Sequence, residues 1–149
     1  MAKNFPPLVK RFKDEVEDLK KLAGNEKRLY KYPQPYLAVL KRTGRGDCVA
    51  WSKLFAKIGR VEKFITILVI IETLDYFEDD VAHQICIVID DDGNVWYQNC
   101  HLIDKFGKVN SRPTVKEIKK LISLLKNRIR KNQLYHYHHS LCRHILLCR

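Results

Sequence analysis

The fold is organised around residues 44–55, which read Gly44-Arg45-Gly46-Asp47-Cys48-Val49-Ala50-Trp51-Ser52-Lys53-Leu54-Phe55. The two glycines permit a cramped backbone, and aspartate at position 47 is a residue type that caps helices. Cys48 then falls in the first helical turn, where the helix dipole and the unpaired N–H groups favour a thiolate over a thiol. The stretch therefore predicts either a nucleophilic thiol or a small buried cysteine, and a partner histidine elsewhere in the chain decides between them.

The chain has 149 residues, a net charge of +11 and five cysteines. This length suffices for a domain with a hydrophobic core, and the composition is globular rather than disordered. The longest apolar block, residues 64–71, has the length of a strand, so no membrane span is predicted. The amino-terminal residues lack a secretory signal and the cysteines are odd in number. Both observations predict a cytoplasmic protein with free thiols.

The positive charge is concentrated at the carboxyl end, since residues 115–149 carry +8 and the remainder only +3. We therefore distinguish residues 1–113 from a basic helix and tail, 114–149, that we expect to pack on the same domain. Interleaved basic and aromatic residues are typical of surfaces that bind nucleic acid or an acidic partner, although a solvated basic helix has the same pattern. The candidates for such contacts are Lys126, Arg128, Arg130, Lys131, Tyr135 and Tyr137.

Helical spacing predicts a helix from Pro6-Pro7 to Gly24, a short helix over 36–40, a third over 47–58 ended by Gly59, and a fourth after the capping box at 114–117. The β-branched run at 61–74 predicts a strand covered on both faces, and 81–89 and 95–99 predict two more strands joined by an Asp-Gly turn. The fold class is therefore α+β: an antiparallel sheet packed on a central helix that carries Cys48 at its start, flanked by amino- and carboxyl-terminal helices.

A partner for Cys48 is found where the second strand begins and the third ends. In an antiparallel hairpin these two positions are neighbours, so His83 lies beside Asn99. The amide oxygen of Asn99 can fix the tautomer of the imidazole, and Gln98 is the alternative if the register differs. The other interpretation of His83 is an ordinary histidine at a strand end.

Two further groups of side chains are candidates for chemistry. Gln34, upstream of the cysteine, is a candidate donor to an oxyanion, or else a plain loop glutamine. A zinc site built from Cys142, His144 and Cys148, or from Cys100 and His101, is disfavoured by the irregular spacing. No metal ion or cofactor is predicted.

The order of these residues resembles that of the transglutaminase-like and papain-like cysteine peptidases, in particular the transglutaminase-like peptidases of bacteria and phages. The resemblance covers residues 33–103, and it is carried by Pro35, Leu40, the Gly-Arg-Gly-Asp-Cys segment at 44–48, His83 with its hydrophobic strand, Asp92-Gly93 and Tyr97-Gln98-Asn99. It implies a papain-like core in which Cys48 is the nucleophile, His83 the base and Asn99 the orienting residue. The oxyanion would be held by the backbone N–H of Cys48 and by Gln34.

The implied activity is that of a cysteine peptidase or amidase acting on peptide or glutamine amide bonds by hydrolysis, deamidation or cross-linking. The family usually has aspartate as its third residue, and this chain has an amide there. The alternative is therefore a degenerate transglutaminase-like domain that acts as a binding module, with the basic tail contacting nucleic acid or an acidic partner.

Overall fold

A computed structural model describes residues 6–73 and 81–138 of the chain, with the side chains of 6–71 and 83–131. The elements are, in chain order, α1 (Pro7–Ala23), α2 (Leu37–Thr43), α3 (Cys48–Val61), β1 (Ile65–Thr73), β2 (Val81–Ile89), β3 (Asn94–Asn99), β4 (Leu102–Lys108) and α4 (Val115–His138). The predicted α+β class and antiparallel sheet are confirmed. In the described part of the chain, no helix combines the length and the hydropathy needed to span a bilayer.

The sheet is a meander, because its strands lie in chain order, β1-β2-β3-β4, and each pairs antiparallel with the next. Short connections favour this arrangement, and the β2–β3 turn is one of them. There Asp90 accepts hydrogen bonds from the backbone N–H groups of Asp92 and Asn94, and Gly93 has a positive φ of 81°. The predicted Asp-Gly hairpin is confirmed.

Side-chain alternation divides the core into two clusters, one on each face of the sheet. On one face α1, α2 and α3 pack against Cys86, Val88 and Trp96. On the other face Ile85 and Ile87 pack with apolar residues of α4, which are Leu121, Leu125 and Ile129. The sheet is therefore the middle of three layers, and α3 is the helix that crosses it on the first face.

Gly59 does not end α3 as predicted, since the helix continues to Val61. A Cβ atom at this glycine would lie 2.7 Å from Thr66 Oγ1 and 2.9 Å from Val88 Cγ2. Glycine is present because the helix approaches the sheet closely there, and not because the chain needs a left-handed turn.

The apolar run of β1 predicts a strand covered on both faces, and this prediction is wrong for one face. Leu68 is 39% exposed and Ile70 is 58% exposed, whereas Val69 and Ile71 on the other face are buried. The reason is position, because β1 is the first strand in the order of the sheet. Among the strands that the structure describes, only β2 pairs with it.

Strand β4 was not predicted. All of its residues are half-buried or exposed, and its charged residues and Gly107 weaken the β pattern. A bulge beside Val95 and Trp96 shifts its register against β3.

Candidate active site

Cys48 is the first residue of α3 and is 5% exposed. The preceding residue caps the helix, because Asp47 Oδ1 accepts hydrogen bonds from the N–H groups of Val49 at 2.9 Å and Ala50 at 3.3 Å. The predicted cap is confirmed. The thiol thus lies at the positive end of a 14-residue helix dipole, which favours the anionic form of a thiol.

The loop before α2 is fastened to this helix start. The N–H of Gln34 donates to Asp47 Oδ2 at 3.0 Å, and the N–H of Asp47 donates to the carbonyl oxygen of Gln34 at 3.0 Å. Gly46, the residue before Asp47, forms a parallel β-bridge with Tyr30. Although 13 residues separate Gln34 from Asp47, the structure places Gln34 beside the residue that precedes Cys48.

His83 and Asn99 are in direct contact. His83 Nε2 lies 2.7 Å from Asn99 Oδ1, and His83 is 3% exposed. An amide oxygen can only accept, so Nε2 donates and carries a proton. In the neutral imidazole the basic nitrogen is then Nδ1, which is also buried.

The amide of Gln98 is used elsewhere. Its Oε1 accepts from the backbone N–H of Cys86 at 3.0 Å, and its Nε2 donates to the carbonyl oxygen of Cys100 at 2.8 Å. Gln98 therefore bridges two backbone segments, and the residue that contacts His83 is Asn99. The regular backbone pairing of β2 with β3 ends at Cys86–Gln98, so the ladder stops before it reaches His83.

The start of α3 lies at the same end of the sheet as the His83–Asn99 pair. Ser52, one turn after Cys48, has its Oγ 2.7 Å from Gln84 Nε2, which is the side chain next to His83 along β2. Trp51 packs edge-on against His101 in the turn after Asn99, with ring centroids 6.2 Å apart.

Alternation along β2 puts the His83 side chain on the opposite side from Gln84, which contacts α3. The register agrees, since His83 is opposite Ile71, a residue of the α4-side core. The regular part of the sheet therefore does not place the imidazole against α3. His83 lies at the open end of β2, beyond the last pair with β3.

Sequence reasoning missed the Ser52–Gln84 contact. Ser52 is recognisable in hindsight because it is four residues after Cys48 and therefore on the same helix face. Its hydroxyl also donates to the carbonyl oxygen of Val49, so both of its hydrogen-bonding directions are used inside the protein. No sequence signal pairs it with Gln84.

The structure also describes two other cysteines, Cys86 and Cys100, and both are buried. Burial raises the pKa of the Cys86 thiol to about 12, against a smaller opposing effect of the positive charge of Arg60. Cys86 is part of the core on the α3 side of the sheet.

The candidate contacts of the basic helix lie on α4. Arg128 and Lys131 are exposed, Lys126 and Arg130 are half-buried, and the guanidinium of Arg128 lies over the ring of Phe106 at 5.5 Å. Tyr135 and Tyr137 fall in the last part of α4, outside the described side chains. Residues 142, 144 and 148 of the zinc hypothesis lie outside the described residues, and within the described ranges no three His, Cys, Asp or Glu side chains form a metal-binding group.

Comparisons of the chain with protein-family models, with curated proteins and with solved structures found no match. The function is accordingly proposed from the residues of the chain and their geometry.

Proposed function

We propose that this protein is a cysteine-dependent hydrolase of transglutaminase-like type that acts on amide bonds of peptides or glutamine side chains. The observation that carries the proposal is the 2.7 Å hydrogen bond between His83 Nε2 and Asn99 Oδ1 at the sheet end where α3 begins with Cys48. Nucleophile, base and orienting amide are the three parts that a thiol triad needs.

The direction of that hydrogen bond supports the assignment of roles. With Nε2 protonated toward Asn99, the imidazole offers Nδ1 as the nitrogen that accepts the thiol proton. We place the contact between Cys48 Sγ and His83 Nδ1 at the open end of β2, beyond the last pair with β3. The imidazolium formed there is stabilised by the Asn99 oxygen that holds it in orientation.

The reaction then proceeds in two steps. The Cys48 thiolate attacks the carbonyl carbon of the amide, and the C–N bond breaks while the imidazolium returns its proton to the departing amine. A water molecule, deprotonated by the same imidazole, attacks the thioester, so that the carboxylic acid leaves and the thiol is regenerated.

The negative oxygen of each tetrahedral intermediate requires donors close to Cys48. The backbone N–H of Cys48 is one proposed donor. The Gln34 side-chain amide is the second, a role supported by the two hydrogen bonds that fasten its backbone to Asp47.

The proposal is tested by the rate of iodoacetamide alkylation at each cysteine between about pH 5 and pH 9, resolved by mass spectrometry. We expect Cys48 to react well below the ordinary thiol pKa of about 8.5 and to lose this reactivity in His83→Ala. Cys86 is an internal reference, because its pKa of about 12 predicts an unreactive thiol throughout.

If Cys48 reacts in the wild type as slowly as Cys86, or if His83→Ala leaves its rate unchanged, no thiolate–imidazolium pair exists and the proposal is wrong. A degenerate domain that acts as a binding module would then account better for the chain. A fast Cys48 should be followed by assays of ammonia and amine release from glutamine-containing peptides, with Cys48→Ser as the inactive control.

A further inference from the structure

A groove with apolar walls lies between α2, α3 and β1, outside the candidate active site. Its volume is about 580 Å³, which is within the range of pockets that bind small ligands or short peptide segments. The apolar part of its lining is formed by Leu37, Ala56, Val61 and Leu68. Val61 is 55% exposed and Leu68 is 39% exposed, so apolar surface faces solvent where the groove opens.

The rest of the lining is positively charged. Lys53, Lys57 and Arg60 project from α3 into the groove. The ion pairs among the described residues belong to Lys10, Arg11, Lys21 and His101, and no groove cation takes part in them. Lys53 Nζ donates to the carbonyl oxygen of Pro35 at 3.3 Å, which holds its charge at one end of the groove.

A fourth cation adds to the positive potential. The side chain of Lys41 interacts with that of Lys57, which lowers the pKa of Lys41; burial and the charge of Lys57 lower it further, and the negative charge of Glu15 opposes these effects. Two lysines that repel each other indicate a surface on which an added anion would relieve the repulsion.

The composition of the groove selects between two kinds of anionic partner. Single-stranded nucleic acids are bound through aromatic side chains on which bases stack, and none of the described residues that line the groove is aromatic. Aliphatic walls next to lysine and arginine instead match carboxylates next to aliphatic side chains. A second copy of this chain is disfavoured as the occupant, because its net charge of +11 would repel the basic groove.

We propose that this groove binds an acidic segment of another protein, with an aliphatic side chain seated on the apolar wall and carboxylates on Lys53, Lys57 and Arg60. The site is separate from the proposed catalytic residues and does not depend on them. It gives the protein a means of selecting partners or substrates by an acidic sequence.

The test measures fluorescence anisotropy of a fluorescein-labelled Asp-Leu-Glu-Asp-Leu-Glu peptide at about 0.15 M ionic strength, where long-range attraction is screened. We expect the double variant Lys57→Gln/Arg60→Gln to weaken binding about tenfold, the effect expected for the loss of two surface charge contacts. The matched control is Lys10→Gln/Lys21→Gln, which removes the same charge from α1 and should change the affinity less than about twofold. Leu68→Asn tests the apolar wall and should also weaken binding.

The proposal is overturned if both double variants weaken binding equally, because net charge alone would then explain it. It is also overturned if the Asn-Leu-Gln-Asn-Leu-Gln peptide binds as well as the acidic one. Tighter binding of oligothymidine, lost in the groove variant, would assign the groove to nucleic acid. Repeating the titration with Cys48→Ala separates the two proposals, since peptide affinity should not change when the thiol is removed.

Discussion

At the scale of single residues, the hydrogen bond between His83 and Asn99 matters for its direction as well as its length. Because the amide oxygen can only accept, the bond selects one tautomer of the imidazole. Gln98, one residue earlier, has the same functional group, but both of its ends hydrogen-bond to backbone. The two neighbouring amides thus have different partners, a side chain for Asn99 and the backbone for Gln98.

Asn99→Ala should lower the alkylation rate of Cys48 near pH 6 by roughly tenfold, because an unoriented imidazole is a poorer base. Asn99→Asp should keep most of the rate, since a carboxylate accepts the same hydrogen bond and stabilises the imidazolium. Both variants should have the urea-unfolding midpoint of the wild type within a narrow margin. An alanine variant that alkylates at the wild-type rate would remove Asn99 from the site.

The His83–Asn99 contact was predictable because a short hairpin brings the start of one strand to the end of the next. Their exact register was not predictable, because the regular pairing of the two strands stops at Cys86–Gln98, before it reaches His83. The position of Gln34 was also beyond sequence reasoning, because it is determined by hydrogen bonds from a loop to Asp47 across 13 residues. Local sequence patterns predict contacts between residues that are close in the chain, whereas the position of Gln34 and the register at His83 are determined by tertiary packing.

At the scale of elements, α3 positions the candidate site by lying close to the sheet along its length. Gly59 contacts Thr66 and Val88 near one end, and Ser52 contacts Gln84 near the other. The helix therefore runs in the same direction as β2, and the two contacts together fix where Cys48 lies along the strand.

Gly59→Ala should destabilise the protein by about 1–3 kcal/mol, because the added methyl group overpacks the contact with Thr66 and Val88. The better helix propensity of alanine offsets up to about 1 kcal/mol of this. Urea unfolding measures the difference. The double variant Gly59→Ala/Val88→Ala should lose less stability than the two single effects added together, since the second change makes room for the first.

A Gly59→Ala variant more stable than the wild type would show that helix propensity outweighs the close approach. The interpretation of Gly59 as the residue that lets α3 lie on the sheet would then be wrong. The sequence predicts a helix end at Gly59 because glycine is typical of helix ends. Here glycine is present because a side chain would prevent the close approach of the helix to the sheet.

At the scale of the whole molecule, stability is supplied by two cores that share one sheet. Each contains an ionisable group that burial keeps neutral: Cys86 on the α3 side and Tyr97 on the α4 side. The pKa of Cys86 is raised to about 12 by burial. The pKa of Tyr97 is also raised, first by burial and then by the negative charge of Asp104.

The free energy of unfolding should therefore fall as the pH rises above about 9. A group whose pKa is higher in the folded state than in the unfolded state keeps its proton to higher pH when the protein is folded. Its contribution to the free energy of unfolding is therefore complete below the unfolded-state pKa and is lost as the pH rises to the folded-state pKa. Each such group adds a slope of up to about 1.4 kcal/mol per pH unit. Cys86→Ala should be less stable at neutral pH but show a shallower decline between about pH 9 and pH 12. An equal decline in both proteins would contradict the assigned pKa.

The partly uncovered β1 strand also bears on how the chain is made. Its run Ile-Thr-Ile-Leu-Val-Ile-Ile, residues 65–71, has no charge, proline or glycine, which is the composition of segments that stack into amyloid-like zippers. Lys63 and Glu72 flank it as gatekeepers. During synthesis β1 leaves the ribosome before β2, the strand that occupies one of its two edges. A nascent chain is therefore most exposed to aggregation while β2 is still being translated, and chaperones that hold extended apolar segments would act on it in that interval.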